Sequence, residues 1–387
     1  MKRPIQIAQS FAFLSLCAAI SCIAMPQASV PANTVPAEQI DGIFAGITST
    51  RTPGAAVLVL QNGQVKFERG YGVADLHSFP KIDAHTNFRL ASCTKQFTAM
   101  AIMLLVHDGK LRYQDRLTDV FPDFPDYGKA ITIRNLLNHT SGLLDYEDLM
   151  EKPAAGTPPE RIPQIKDAGV LAILKRQRTT NFPPGTKWDY SNSGYAVLAM
   201  VVQKVSGKPF GDFLHDRIFA PLKMTETVAY EKEKNSVSLR AYGYTHENGS
   251  KPQTAWQELD QSSTSAVLGD GGVYSSLTDL AKWDQTLTNH ALLSEAEMKP
   301  AITPVKVSGR SVQEPDGTPA AYGFGWFLNS YKGHARMWHY GETVGFRTTI
   351  QRFVDDKLTI IILCNRDDQV PANLALKIAD LFLAAPH

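Results

Sequence analysis

The sequence predicts an α/β fold, an antiparallel sheet built from both chain ends and flanked by helices, with a mostly helical inserted domain. Three observations lead there. The strand-like runs Ala55–Gln61 and Gln64–Tyr71 are joined by Asn62-Gly63, the dipeptide best suited to a two-residue hairpin because both positions tolerate positive φ. Near the other end, Thr348–Val354 and Leu358–Cys364 flank Asp355-Asp356-Lys357 in the same way. Between the two pairs, from Ser92 to about Lys251, the recognisable patterns are helical and are broken by proline-rich loops such as Pro153–Pro163 and Pro183-Pro184-Gly185.

Taken in order, the chain opens on Lys2 and Arg3, the only charges before Glu38, and then runs apolar from Phe11 to Met25. That pattern reads as a signal peptide over residues 1–28, cleaved between Ala24 and Ala32, with a linker over 29–37. The apolar run is shorter than the ~20 residues of a membrane-spanning helix, so no stable span is expected after cleavage. Export to the periplasm or the medium follows. A lipid anchor on Cys22 is the alternative, because Ala19-Ile20-Ser21-Cys22 faintly resembles a lipoprotein box with Ala where Leu usually stands. The folded domain is expected over 38–387, its sheet part at about 38–90 and 255–387 and its helical part at about 91–254. Glu38–Ile47 has the apolar spacing of a surface helix, Ala335–Tyr340 reads as a strand, and Ala372–Leu383 is an amphipathic helix with Leu374, Ile378 and Leu381 on one stripe.

Composition narrows the function. Of 387 residues, 43% are hydrophobic and 20% charged, and 39 Lys+Arg against 38 Asp+Glu leave a net charge of +1. Nucleic-acid binding needs clustered basic residues to neutralise phosphates, and no basic block is present. Cys17 and Cys22 leave with the signal, so only Cys93 and Cys364 remain, too few for a disulfide framework and read as two buried small side chains. Neither CxxC nor HExxH occurs, so no metal site and no cofactor are expected. The expected partner is a small-molecule or peptide substrate, with the oligomeric state left open.

Chemistry concentrates in three places. Leu90-Ala91-Ser92-Cys93-Thr94-Lys95 opens a helix with Phe97, Met100, Ala101, Leu104 and Leu105 on its apolar positions and Gly109 as its stop, so Ser92 and Lys95 share a face. A serine with a lysine three residues on makes a nucleophile and a base if burial frees the amine lone pair. Alone, the same spacing fits a solvated polar face. Tyr190-Ser191-Asn192 precedes a second helix striped by Tyr195, Leu198, Val202 and Val205, where Ser191 or Asn192 would be a cap and Tyr190 a packed aromatic. His339-Tyr340-Gly341 ends a strand and leads to the last hairpin.

The three motifs in this order resemble the serine β-lactamase and penicillin-binding superfamily, most closely the class C β-lactamase and DD-carboxypeptidase-like serine hydrolases, with S-x-x-K, Y-x-N and K-T-G or H-x-G. The resemblance runs from about Ile40 to the C-terminus, supported by Leu136–Leu143, Gly269–Ser276 and Gly345-Phe346. It implies a β-lactamase/transpeptidase-like fold. It also implies Ser92 as acylated nucleophile, Lys95 as its proton acceptor, and Tyr190 as base or shuttle with a phenol acidified by nearby positive charge. Asn192, His339 and Gly341 would meet the substrate, and the backbone N–H groups of Ser92 and Glu342 would form the oxyanion hole. His139, in Asn138-His139-Thr140-Ser141-Gly142, is read as part of a structural loop, and Cys93 as turned into the helix core.

The pattern departs from the family where Thr commonly follows the Lys or His. Here Tyr340 stands, and acidic Glu342 follows Gly341, so a substrate carboxylate is expected to be repelled. The expectation is a secreted serine hydrolase acting on neutral or cationic esters or amides. A true β-lactamase or D-Ala-D-Ala carboxypeptidase, and a non-catalytic binding or sensor module, are the alternatives.

Overall fold

Asn62 and Gly63 both take positive φ, 54° and 73°, and close Ala55–Gln61 (β1) and Gln64–Tyr71 (β2) into an antiparallel hairpin. The computed structural model describes Met1 and residues 36–151, 157, 161–246, 255–309, 311–314 and 316–384. The expected signal peptide, most of the linker, Cys17 and Cys22 lie outside the described residues. The remaining strands of the main sheet are Ala321–Tyr322 (β3), Phe327–Tyr331 (β4), His334–Thr343 (β5), Phe346–Phe353 (β6) and Leu358–Cys364 (β7). Their order is β2-β1-β7-β6-β5-β4-β3, antiparallel throughout, with Ala55 opposite Cys364 and Gln61 opposite Leu358. The two chain ends therefore meet at the middle of one sheet, as the paired hairpins predict. β5 is longer than the expected Ala335–Tyr340 run and carries His339-Tyr340-Gly341 within it rather than at its end.

Both faces of the sheet are covered, which is why β1 and β7 read as continuous apolar runs instead of alternating ones. On β6, Gln351 donates to the carbonyl of Ala372 in the helix Pro371–Ala379, while the next residue, Arg352, reaches Asp284 in Leu277–Asn289 on the other face. Ala56, Leu58, Leu60, Ile361 and Leu363 join the main core on that second face. Burying each large aliphatic side chain there is worth roughly 1.5–3 kcal/mol.

The helices are Ala37–Ile43 (α1), Lys95–His107 (α2), Asp167–Lys175 (α3), Asn192–Ser206 (α4), Leu277–Asn289 (α5) and Pro371–Ala379 (α6), with shorter turns between. The first expected helix thus breaks into α1 and a 3-10 turn, Ala45–Ile47, and the last ends short of Leu383. Helix α2 is buried on every side from Lys95 to Leu105, so it is the axis of the helical part, packed against α4 and, through Gln96 and Phe97, against Trp283 of α5. Ser191 caps α4 by accepting from the Gly194 N–H, and Gly207 ends it at φ 73°. A small sheet, Phe88–Arg89 with Val273–Ser275 and Val228–Ala229, ties the segment before α2 to the helical part.

Candidate active site

Residues 90–95 are clamped before they turn into α2. The Leu90 N–H donates to the Val273 carbonyl at 2.9 Å, and the Leu90 carbonyl accepts from Thr348 Oγ1 on β6 at 2.9 Å. Ala91 is held at φ 47°, a left-handed conformation that non-glycine residues rarely adopt and that costs on the order of 1–3 kcal/mol. Ala91–Thr94 form a 3-10 turn, and α2 starts at Lys95. Ser92 is half-buried in this turn, whereas Lys95, three residues on, is fully buried.

Lys95 is fully buried, and its Nζ has three neighbours: Ser92 Oγ at 3.0 Å, Asn192 Oδ1 at 2.8 Å and the Asp270 carbonyl at 3.0 Å. The last two are acceptors only. A neutral amine satisfies both with its two protons and turns its lone pair to the Ser92 hydroxyl. Burial pulls the Lys95 pKa down to about 8, against the opposing pull of the Asp270 charge, so that form is accessible near neutral pH. The sequence's Ser–Lys pairing is thus realised in contact, and Asn192 joins it from the start of α4.

Tyr190 lies over the same pair, with Lys95 Nζ 4.9 Å from its ring centre. Its hydroxyl is buried, with the Ser92 hydroxyl near enough to ease its ionisation. Burial dominates, followed by repulsion from Tyr340, and raises the Tyr190 pKa well above that of a free phenol. This direction is opposite to the expected acidified phenol. A desolvated tyrosine resists becoming an anion, which leaves Lys95 as the better base and Tyr190 as a hydroxyl that can pass a proton on.

The His339-Tyr340-Gly341 strand runs beside this turn, but its residues face inward. His339 has no exposed surface, and its ring nitrogens lie 3.1 Å from Tyr322 Oη and 2.6 Å from the Tyr340 carbonyl. Burial first, then the Lys95 charge, pushes its pKa down to about 3, so it is a neutral ring. The expected contact of His339 with substrate would thus come from a neutral ring that is enclosed here. Gly341 likewise serves the protein: a Cβ there would sit 2.1 Å from the Leu90 carbonyl oxygen and 2.3 Å from Thr348 Oγ1. Gly341→Ala should accordingly destabilise the fold by ~1–3 kcal/mol and disturb the Ser92 turn, read as a lower urea midpoint together with lost activity. Glu342, whose peptide follows Gly341 on the strand bordering Ser92, turns its carboxylate to Arg347 across the hairpin at 3.0 Å with the side chain 58% exposed. Its charge is matched by Arg347, so the expected repulsion of substrate carboxylates does not come from this residue.

Sequence reasoning missed the acids behind and beside the pair. Asp270 is buried, accepts from Tyr146 Oη at 3.1 Å and is raised to about 6 by burial, with Lys95 pulling the other way. Asp145 and Glu147 are also raised, burial being the main cause in each. A cavity of about 340 Å³ opens beside Tyr190 and Ser191 and is lined by Asp145, Asp148 and Asp189 together with Leu144, Leu149 and Phe182. Only the cluster Asp145-Tyr146-Glu147-Asp148 in the sequence hints at it. His139, expected to be purely structural, is buried with its ring 4.4 Å from that of Tyr190 and does not touch Ser92. Cys93 is buried against Thr348 and the His339 carbonyl, facing the sheet, and its thiol is pushed up to about 12. That thiol is unreactive.

A serine held against a buried lysine, on a two-sided antiparallel sheet with a helical insertion, defines the class of serine hydrolases that work by acyl transfer. The model of the Beta-lactamase family matches residues 40–384, and the chain belongs to that family and is a serine hydrolase. It is 32% identical to penicillin-binding protein 4* of Bacillus subtilis over 88% of this chain and 74% of the relative. It is 28% identical to a D-aminopeptidase of Brucella canis, over 86% of this chain and 60% of the relative. Among solved structures, the D-amino acid amidase of Ochrobactrum anthropi SV3 superimposes with a TM-score of 0.74 at 24% identity, covering 89% of this chain and 97% of that one, a likeness of fold.

Proposed function

We propose that the protein is an exported hydrolase of small amides or esters that forms an acyl-enzyme on Ser92 and prefers acyl groups bearing a free amine. The observation that carries the chemistry is the Lys95 Nζ–Ser92 Oγ contact of 3.0 Å, with the other two lysine hydrogen bonds fixed on acceptors. In the reading it supports, neutral Lys95 takes the hydroxyl proton as Ser92 Oγ bonds to the substrate carbonyl carbon. The Ser92 and Glu342 N–H groups stabilise the oxyanion. Tyr190 passes the proton to the leaving nitrogen or oxygen, whose bond to carbon then breaks. Water attacks the acyl-enzyme by the same route in reverse, giving the acid and restoring Ser92. The Asn192 amide nitrogen, whose contact with Glu147 is long at 3.5 Å, is placed to donate to a substrate carbonyl.

The amine preference rests on the acid-lined cavity beside Tyr190, and the D-aminopeptidase relatives support it. Two opposite charges at ~4 Å interact by about 4 kcal/mol at an effective dielectric of ~20, and a third of that is already tenfold in rate. An amino-acid nitroanilide with a free amine should therefore exceed its N-acetyl derivative in kcat/KM by at least about tenfold, for one or both enantiomers. Equal or better turnover of the acetylated compound would remove the charge argument. A β-lactamase reading is favoured by the penicillin-binding relatives. It would be preferred if a chromogenic cephalosporin outperformed both nitroanilides.

A further inference from the structure

We propose that His139, Tyr322 and His339 form a neutral, one-directional hydrogen-bonded chain that fixes the aim of Tyr190, which makes all three positioning residues for the reaction. The inference rests on the reading of Ser92 and Tyr190 given above. All three side chains are fully buried.

The direction of each link follows from its partner. The Ser191 N–H can only donate, and it lies 3.1 Å from His139 Nδ1, so that nitrogen holds a lone pair. The His139 proton then sits on Nε2 and is donated to Tyr322 Oη at 3.1 Å. Tyr322 has two acceptors within reach for its own proton, His339 Nε2 at 3.1 Å and the oxygen of Tyr195, whose hydroxyl donates to the Leu137 carbonyl at 2.7 Å; the His339 lone pair is the one left facing it by the other side of that ring. His339 Nδ1 faces the Tyr340 carbonyl at 2.6 Å, an acceptor only, and must carry the second ring's proton. Each link has one donor and one acceptor. A proton added to either imidazole would set two donors against each other, at Ser191 or at Tyr322. The one cation acting on both rings is Lys95, and it opposes such protonation.

The chain joins the residue after Tyr190 to the strand that borders Ser92. This matters because the group nearest the Tyr190 hydroxyl is that of Ser92, the reacting residue itself, so the aim of the side chain is set from behind its ring. Its ring is held by the His139 ring, 4.4 Å away and tilted by 34°, and its backbone by the Ser191–His139 bond. His139 takes φ 61° to present that ring, a left-handed conformation that a non-glycine residue adopts at a cost. A misplacement of a reacting group by ~1 Å costs on the order of 100-fold in rate.

Tyr322→Phe removes one hydroxyl and breaks two links while keeping the ring. Per active site titrated with a fluorophosphonate, kcat should fall roughly 10–100-fold with KM within about threefold. His139→Asn, which keeps an acceptor for the Ser191 N–H, should retain more kcat than His139→Leu, which keeps none. Independently, ¹⁵N spectra of the wild-type imidazoles should show His139 protonated on Nε2 and His339 on Nδ1, both neutral from pH 6 to 9. Wild-type kcat in Tyr322→Phe, equal kcat in the two His139 variants, or either ring titrating in that range would overturn the proposal. If Tyr322→Phe does not fold, the wild-type spectra decide. Turnover surviving in Ser92→Ala would instead sink the underlying reading, whereas an inactive Ser92→Ala beside a fully active Tyr322→Phe would sink only the chain.

Discussion

Ser92→Ala is expected to lower turnover of any accepted amide or ester by at least about 10⁴-fold, because the variant lacks the oxygen that forms the covalent bond and no neighbouring group replaces it. Cys93 cannot stand in, being buried with its thiol held protonated at about 12. The fold should survive. Ser92 is half-buried, and the hydroxyl's loss leaves Lys95 with Asn192 and Asp270 as partners. Circular dichroism and a melting temperature within a few degrees of wild type would separate lost chemistry from lost structure. Wild-type turnover in a verified Ser92→Ala preparation would end the acyl-enzyme account.

The second large effect is at Lys95. Lys95→Met fills the same buried space without a basic amine and should cost about 10²–10⁴-fold in kcat/KM. In the wild type, the base works only when neutral, and its pKa is depressed to about 8. Below that pH, kcat/KM should fall about tenfold per unit, and above it the profile should level. Linkage gives the sign for stability. Between about 8 and the ordinary lysine value of 10.5, the unfolded chain binds more protons at this residue than the folded one, so its contribution to stability rises with pH through that window. That slope should vanish in Lys95→Met. A kcat/KM profile flat from pH 6 to 9 would show that another group is the base.

What the sequence made legible is what local chemistry dictates. Asn62-Gly63 specifies its hairpin because few dipeptides accept two successive positive φ values. Ser92 and Lys95 meet because three residues in a helical turn put side chains on one face, and Ser191 caps α4 as its type suggests. The substrate side was far less legible, because it depends on where side chains go after the chain has folded. Nothing local says that Glu342 would find Arg347 across a hairpin. His339 looked like a substrate ligand because the resemblance sets it at the lysine of the K-T-G motif, and here Tyr322, from a two-residue strand, lies 3.1 Å from its nitrogen. Asp270 joins the site through its carbonyl and through Tyr146, a contact spanning much of the chain. The acids of residues 145–148 fall within and just before a short helix, and only the fold lines a cavity with two of them and Asp189.

The central claim is the covalent bond to Ser92, and the most direct measurement is intact-mass analysis followed by peptide mapping. The protein would be quenched in acid during turnover of a slowly released ester, and separately after exposure to a fluorophosphonate. The account predicts one adduct of the acyl or phosphonyl mass, on the peptide containing Ser92, that is absent in Ser92→Ala and forms more slowly below pH 8 in step with kcat/KM. Turnover without any adduct, or an adduct on a different residue that tracks activity, would contradict it.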